Sequence, residues 1–146
     1  MNTLHTVICG IGAAILLTFL SCSIMSAKKP VFKKTVWESK QEIFVADAGT
    51  MTMTITLEFG SGKDVKVTWS SYLPAHPAMY MNADGSVDRI PASSSESVSK
   101  GIWEYKSGKL TITLESGTKS EFEYKAGCLF GGSELSGSGA MFNRIK

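Results

Sequence analysis

Residues 50–59 read "TMTMTITLEF" and alternate without a break. Met51, Met53, Ile55, Leu57 and Phe59 fall on one side of an extended chain. Thr50, Thr52, Thr54, Thr56 and Glu58 fall on the other. Successive side chains of a strand point to opposite faces, so this stretch is a strand with one face in a core and one in water. The same period recurs in "VKVTW" (65–69), "KLTITLE" (109–115) and "EFEYK" (121–125). Turn signals separate these runs: Ser-Gly in "GSGK" (60–63), "KSGK" (106–109) and "ESGT" (115–118), and Asp-Gly in "ADGS" (83–86). Glycine supplies the positive φ that tight hairpin loops need. No amphipathic helix of useful length is legible after Lys34. Strands joined by tight turns predict an all-β antiparallel meander of roughly eight strands, closing into a barrel because closure removes exposed edges.

One stretch breaks the rhythm. "LPAHPAMYMNADGSVDRIPASSSESVSKG" (73–101) holds three of the four prolines and a serine-rich run. Such a stretch is long for a connection inside a compact domain. It predicts a ragged hairpin around Asp84-Gly85 and a flap at one barrel mouth, over residues 74–100.

The N-terminal segment decides location. Residues 7–20, "VICGIGAAILLTFL", carry no charge over 14 positions. A membrane span needs about 20 residues, and a signal-peptide apolar region about 7–15. Small Ser21 and then Cys22 follow. The segment resembles a bacterial lipoprotein signal, which implies cleavage before Cys22 and lipid on its sulfur. The alternatives are a transmembrane anchor, with "KKP" and "FKK" downstream as a stop signal, and a core helix. The resulting division is a signal peptide over 1–21, a lipidated basic tether over 22–34 and a barrel domain over 35–146. It implies export to the bacterial cell envelope and anchoring to a membrane, the outer membrane first.

The second half adds a family resemblance. Gly101 and Trp103, Gly108, the alternating residues 110–114, Tyr124, Leu129, and Phe142 with Arg144 form a loose pattern. With the opening strand "TVWESKQEIFV" (35–45), the chain resembles small lipocalin-like (calycin-type) β-barrel lipoproteins of Bacteroidetes-type bacteria. Lipocalin-type barrels open with Gly-x-Trp; here Thr35 stands in the glycine position before Trp37. The resemblance implies that Arg144, on the last strand, covers Trp37 and closes the barrel base, a structural role.

Composition bounds the chemistry. The chain has 146 residues, 43% hydrophobic and 19% charged, with a net charge of +2 spread along its length. Nucleic-acid binding needs a basic footprint that is missing here. Cleavage before Cys22 would leave Cys128 as the one thiol of the folded part, so no internal disulfide framework and no CxxC-type metal site is expected. Catalysis is not expected: the histidines are His5, in the leader, and His76, between prolines in "PAHPA". "GSGKD" lacks phosphate-loop spacing. "NADGSVD" lacks ligands at the ends of a calcium loop, since Tyr80 and Pro91 stand there. No cofactor is implied.

Two readings of function remain. In the first, the barrel binds a small apolar or amphipathic ligand, with Met51, Met53, Trp69, Tyr80 and Trp103 as candidate lining. In the second, the barrel is filled and the chain is a protein-interaction or inhibitor module, with an envelope protein as partner. A weaker reading pairs Met51 and Met53 with Met79 and Met81 as soft ligands for Cu(I) or Ag(I); the phase of Met51 and Met53 with Ile55 favours packing instead.

Overall fold

The structure is a computed structural model, and it describes residues 29–136 and 140–146. The leader, Cys9 and Cys22 lie outside the described residues, as does part of the Gly-Ser loop before the last strand. The folded unit runs from Val31 to Lys146.

Ten strands follow in chain order: β1 (Val36–Val45), β2 (Gly49–Phe59), β3 (Asp64–Leu73), β4 (His76–Met81), β5 (Val87–Ile90), β6 (Ser93–Lys106), β7 (Lys109–Leu114), β8 (Lys119–Lys125), β9 (Cys128–Gly131) and β10 (Ala140–Arg144). A four-residue helix, α1 (Ser133–Ser136), precedes β10. Eight strands close a barrel in the order β1-β10-β9-β8-β7-β6-β3-β2. Every described neighbour pair is antiparallel. Setting aside β4 and β5, which pair only with each other, this is a simple up-and-down meander. The all-β, eight-stranded barrel expected from the alternation is the fold.

The tight turns follow their sequences. Ser107 (φ 52°) and Gly108 (φ 84°) join β6 to β7, and Ala126 (φ 52°) and Gly127 (φ 83°) join β8 to β9. Positive φ at both central residues is the twist-matched two-residue hairpin loop. The Asp84-Gly85 hairpin also forms. The Gly85 N–H donates to Asn82 O, and the Asp84 carboxylate accepts from the Ser86 N–H and hydroxyl at 2.9 and 2.6 Å.

The flap is shorter than its composition suggests. Residues 93–100 are not loop but the first half of β6, paired with β3 from Leu73↔Ser93 to Asp64↔Ile102. The run carries no apolar period because its inner face is not in the core. The ladder to β3 holds it extended regardless.

The barrel is lopsided. β1, β2, β3 and β6 span 10, 11, 10 and 14 residues; β7, β8, β9 and β10 span 6, 7, 4 and 5. The four long strands therefore rise past the short ones as a wall above one mouth. The core lies in the shared lower part: Ile55, Leu57, Phe59, Val65, Val67, Leu110, Ile112, Leu114, Phe122, Leu129, Ala140 and Phe142 are all buried.

Gly101 marks the corner where β6 has strands on both sides, opposite Val65 and Leu114. A Cβ there would stand 2.4 Å from the Thr113 carbonyl oxygen. Only glycine lets β6 and β7 approach this closely, a recognised use of glycine within strands.

Candidate functional site

The base of the barrel is closed by a residue that the periodicity does not reveal. Phe32 is 2% exposed. Its ring centroid lies 6.0 Å from Trp37, 5.5 Å from Phe59, 5.7 Å from Trp103, 5.2 Å from Tyr105 and 6.2 Å from Tyr124. Five rings thus surround one, mostly tilted or edge-on, the favoured geometry for aromatic pairs. The chain reaches this position through a tight turn at Lys33 and Lys34, where Lys34 has φ 59°. The Thr35 N–H donates to the Phe32 carbonyl at 3.1 Å.

Thr35 accounts for its own place in the sequence. Its hydroxyl donates to Phe32 O and accepts from Trp37 Nε1 at 2.8 Å. The indole N–H, the hydroxyl and the carbonyl form a continuous buried chain of donors and acceptors. A glycine here would leave the Trp37 N–H without that acceptor, and an unsatisfied buried donor costs about 1–3 kcal/mol.

Trp37 and Arg144 stand directly opposite each other in the β1–β10 register, at the base. The rings packed on the indole are Phe32 and Tyr124, the latter at 6.2 Å and nearly perpendicular. Arg144 is exposed and its Nε donates to Lys146 O at 3.0 Å.

The other end of the core is closed by α1. Trp69 Nε1 donates to Leu135 O at 2.8 Å, which ties the helix across the barrel, and Leu135 is buried. The Glu134 carboxyl in this turn is held below the usual carboxylate range by its own backbone N–H and then by the Ser133 hydroxyl.

The candidate lining residues separate into three places. Trp103 belongs to the aromatic cluster at the base, where its indole N–H is buried without an acceptor. Trp69 lies under α1. Met51 and Met53 are half-buried on the inner face of the wall, beyond Ile55, with Met51 opposite Ile43 and Met53 opposite Gln41 and Ser71. Tyr80 is 80% exposed on the β4–β5 hairpin. The two Met-x-Met pairs lie on different sheets, and the described residues hold no group of three or more His, Cys, Asp or Glu that could bind a metal.

Open depressions mark the outer surface. One of about 400 Å³ lies between Glu58, Asp64, Lys100 and Glu115; another of about 460 Å³ lies between Lys109, Glu121, Tyr124 and Phe130. Among the apolar side chains at least half exposed, Met79, Tyr80, Met81 and Val87 lie on the β4–β5 hairpin, and Phe44 and Tyr72 on the wall strands β1 and β3. Sequence reasoning singled out Met79, Tyr80 and Met81 of the flap, as metal ligands or ligand lining, but not Phe44, Tyr72 or Val87. The signal was "MYM" within an otherwise polar loop.

The chain matches no family model, no curated protein and no solved structure.

Proposed function

We propose that this chain is an exported, lipid-anchored envelope protein whose barrel is a rigid support for a protein-docking surface. The observation that carries the reading is the occupied interior: Phe32 fills the barrel from below, Leu135 covers it from above, and the rings between them touch. A ligand-carrying barrel keeps an apolar cavity. The complementary observation is the β4–β5 hairpin, which pairs with no barrel strand and exposes Met79, Tyr80, Met81, Val87 and Ile90. Exposed apolar groups clustered in this way mark interaction sites. The lipid rests on the leader pattern and Cys22, and an envelope protein is the partner class. The chain enters the barrel at its base, so the hairpin lies at the far end of the folded unit from its point of entry.

The test is site-specific photo-crosslinking in the native envelope. A photoreactive residue replacing Tyr80 gives one discrete protein adduct, and the same residue replacing Lys125, at the base, does not. Met79→Ser with Met81→Ser abolishes the Tyr80 adduct. No adduct at either site, or equal adducts at both, contradicts the reading.

A second reading has its own support. Ile43, Met51 and Met53 form an apolar strip on the open inner face of the wall. A small apolar or amphipathic ligand would lie there, above α1, rather than inside the barrel. Met51→Ser with Met53→Ser then removes binding without opening the core.

A further inference from the structure

Two short links set the β4–β5 hairpin apart from the barrel. The β3–β6 ladder ends at Leu73↔Ser93, and the β4–β5 ladder begins at His76↔Ile90. Between them lie Pro74-Ala75 on one leg and Pro91-Ala92 on the other, so both legs break at the same Pro-Ala pair. Proline has no N–H to give to a ladder. Among the described residues, no backbone hydrogen bond involves these four positions. The two breaks stand side by side across the ribbon. That is the layout of a hinge, in which a few element-terminal residues absorb the change in φ and ψ while the paired strands move as units.

The hinge stands over the open mouth. Leu73 lies four positions above Trp69, which holds α1, so the root of the hairpin is about 13 Å above that cap. β4 spans six residues, about 20 Å. Eight strands at their usual spacing and tilt make a barrel roughly 15 Å across. The hairpin is therefore long enough to span the mouth. Its two faces differ in charge. Met81 and Val87 are direct partners, and Arg89 lies two positions beyond Val87 on β5, so the three share a face. Asp88 is on the other. Arg89 is the only Lys or Arg between Lys66 and Lys100, and Glu134, on α1, is the only charged residue between Lys125 and Arg144. Both are exposed, and neither forms a salt bridge among the described residues. Arg89 lies two positions from the hinge, about 7 Å, and its long side chain covers the rest of the distance to the cap.

We propose that the β4–β5 hairpin is a lid, hinged at Pro74-Ala75 and Pro91-Ala92, that closes over the mouth with Arg89 on Glu134 and with Met81 and Val87 against the Ile43–Met51–Met53 strip. Closing takes two apolar surfaces out of water together, which drives the motion. The charge pair sets which face turns inward, since the opposite face would bring Asp88 toward Glu134. Closure rests on neither reading of function. Where the hairpin is the docking surface, the closed lid withholds Met81 and Val87 from the partner, and the open form shown here is the one that docks.

The test is intramolecular photo-crosslinking in the purified full chain, in nonionic detergent, over a concentration series. A photoreactive residue replaces Val87, and peptide mass spectrometry maps the products. The expected adducts join position 87 to peptides of the same chain that hold residues 133–136 or 43–53. Arg89→Glu lowers their yield by about threefold, and Glu134→Arg does the same, on the scale of an exposed ion pair. The double variant with both changes restores the yield. Far-ultraviolet circular dichroism melts show that all four proteins fold. Adducts confined to the hairpin itself, a yield that grows with protein concentration, or single reversals that leave the yield unchanged overturn the proposal. So does a double reversal that fails to restore it. Loss of the Tyr80 adduct in the native envelope, with the Val87 adduct intact, contradicts the docking reading alone.

Discussion

At the residue scale the decisive groups are Phe32 and Thr35. Each of the five rings around Phe32 adds about 0.5–1.5 kcal/mol beyond area burial, and truncating a buried Phe costs about 3–5 kcal/mol. Phe32→Ala is therefore expected to lower unfolding free energy by about 3–5 kcal/mol in urea titration. A chain beginning at Thr35 should lose as much, and one beginning at Val31 should not. Thr35→Val removes one link of the buried relay and is expected to cost about 1–3 kcal/mol. Its fluorescence readout is a changed environment at Trp37. Neither residue was legible in the sequence beyond an oddity. Phe32 sits among basic residues and joins no period, so it read as tether; Thr35 read only as a departure from Gly-x-Trp. The contact that explains both is made by strands distant in sequence, which periodicity does not see. Trp37, by contrast, was read from the pattern of its opening strand, "TVWESKQEIFV" (35–45), not from alternation. Asp84 gives the pH-dependent case. The Ser86 hydroxyl, then its backbone N–H, holds the Asp84 carboxyl below the ordinary range. Its contribution to the hairpin turn is fully present above the unfolded pKa and is lost as pH falls through the lowered folded value. Carboxyl-detected NMR titration should show Asp84 protonating at lower pH in the folded protein than in the urea-unfolded chain, with the turn signals of Ser86 shifting in step. Coincident midpoints would contradict this.

At the element scale the hairpin turns and the barrel corner set the stability. Ala126 holds φ 52° in a loop that favours Asn or Gly, and the left-handed conformation costs an L-residue about 1–2 kcal/mol. Ala126→Asn is expected to stabilise by about 0.5–1 kcal/mol, part of that cost, and to raise the melting temperature. Gly101→Ala should act in the opposite direction, because the added methyl meets the Thr113 carbonyl on β7. The calorimetric check is a lowered melting temperature that Ile102→Ala, on the exposed face, does not reproduce. β2, β3, β7 and β8 were legible from their alternation. The first half of β6 was not. Ser93, Ser95, Ser97 and Ser99 carry no hydrophobic signal, and their extended form comes from the β3 ladder. Nor was α1 legible, since its one buried residue, Leu135, is a lone apolar side chain in a Gly-Ser stretch.

At the scale of the whole molecule, closure and asymmetry act together. Closure was predictable, because an antiparallel meander with one apolar face must hide its edges. The asymmetry was not, because strand length depends on which partner a strand finds. Long strands on one side and short ones on the other divide the molecule into a sealed lower core and an open wall. Phe32 and Leu135 seal the core; the wall carries the Met51–Met53 strip and the exposed hairpin. The central claim is that the chain is anchored by lipid on Cys22 and that its barrel carries no ligand inside. Native mass spectrometry of the protein purified from its own host tests both at once. The account predicts a chain beginning at Cys22 with added acyl mass and no stoichiometric small molecule. A chain that retains its first 21 residues, or a small molecule that stays bound after Met51→Ser with Met53→Ser, would contradict it.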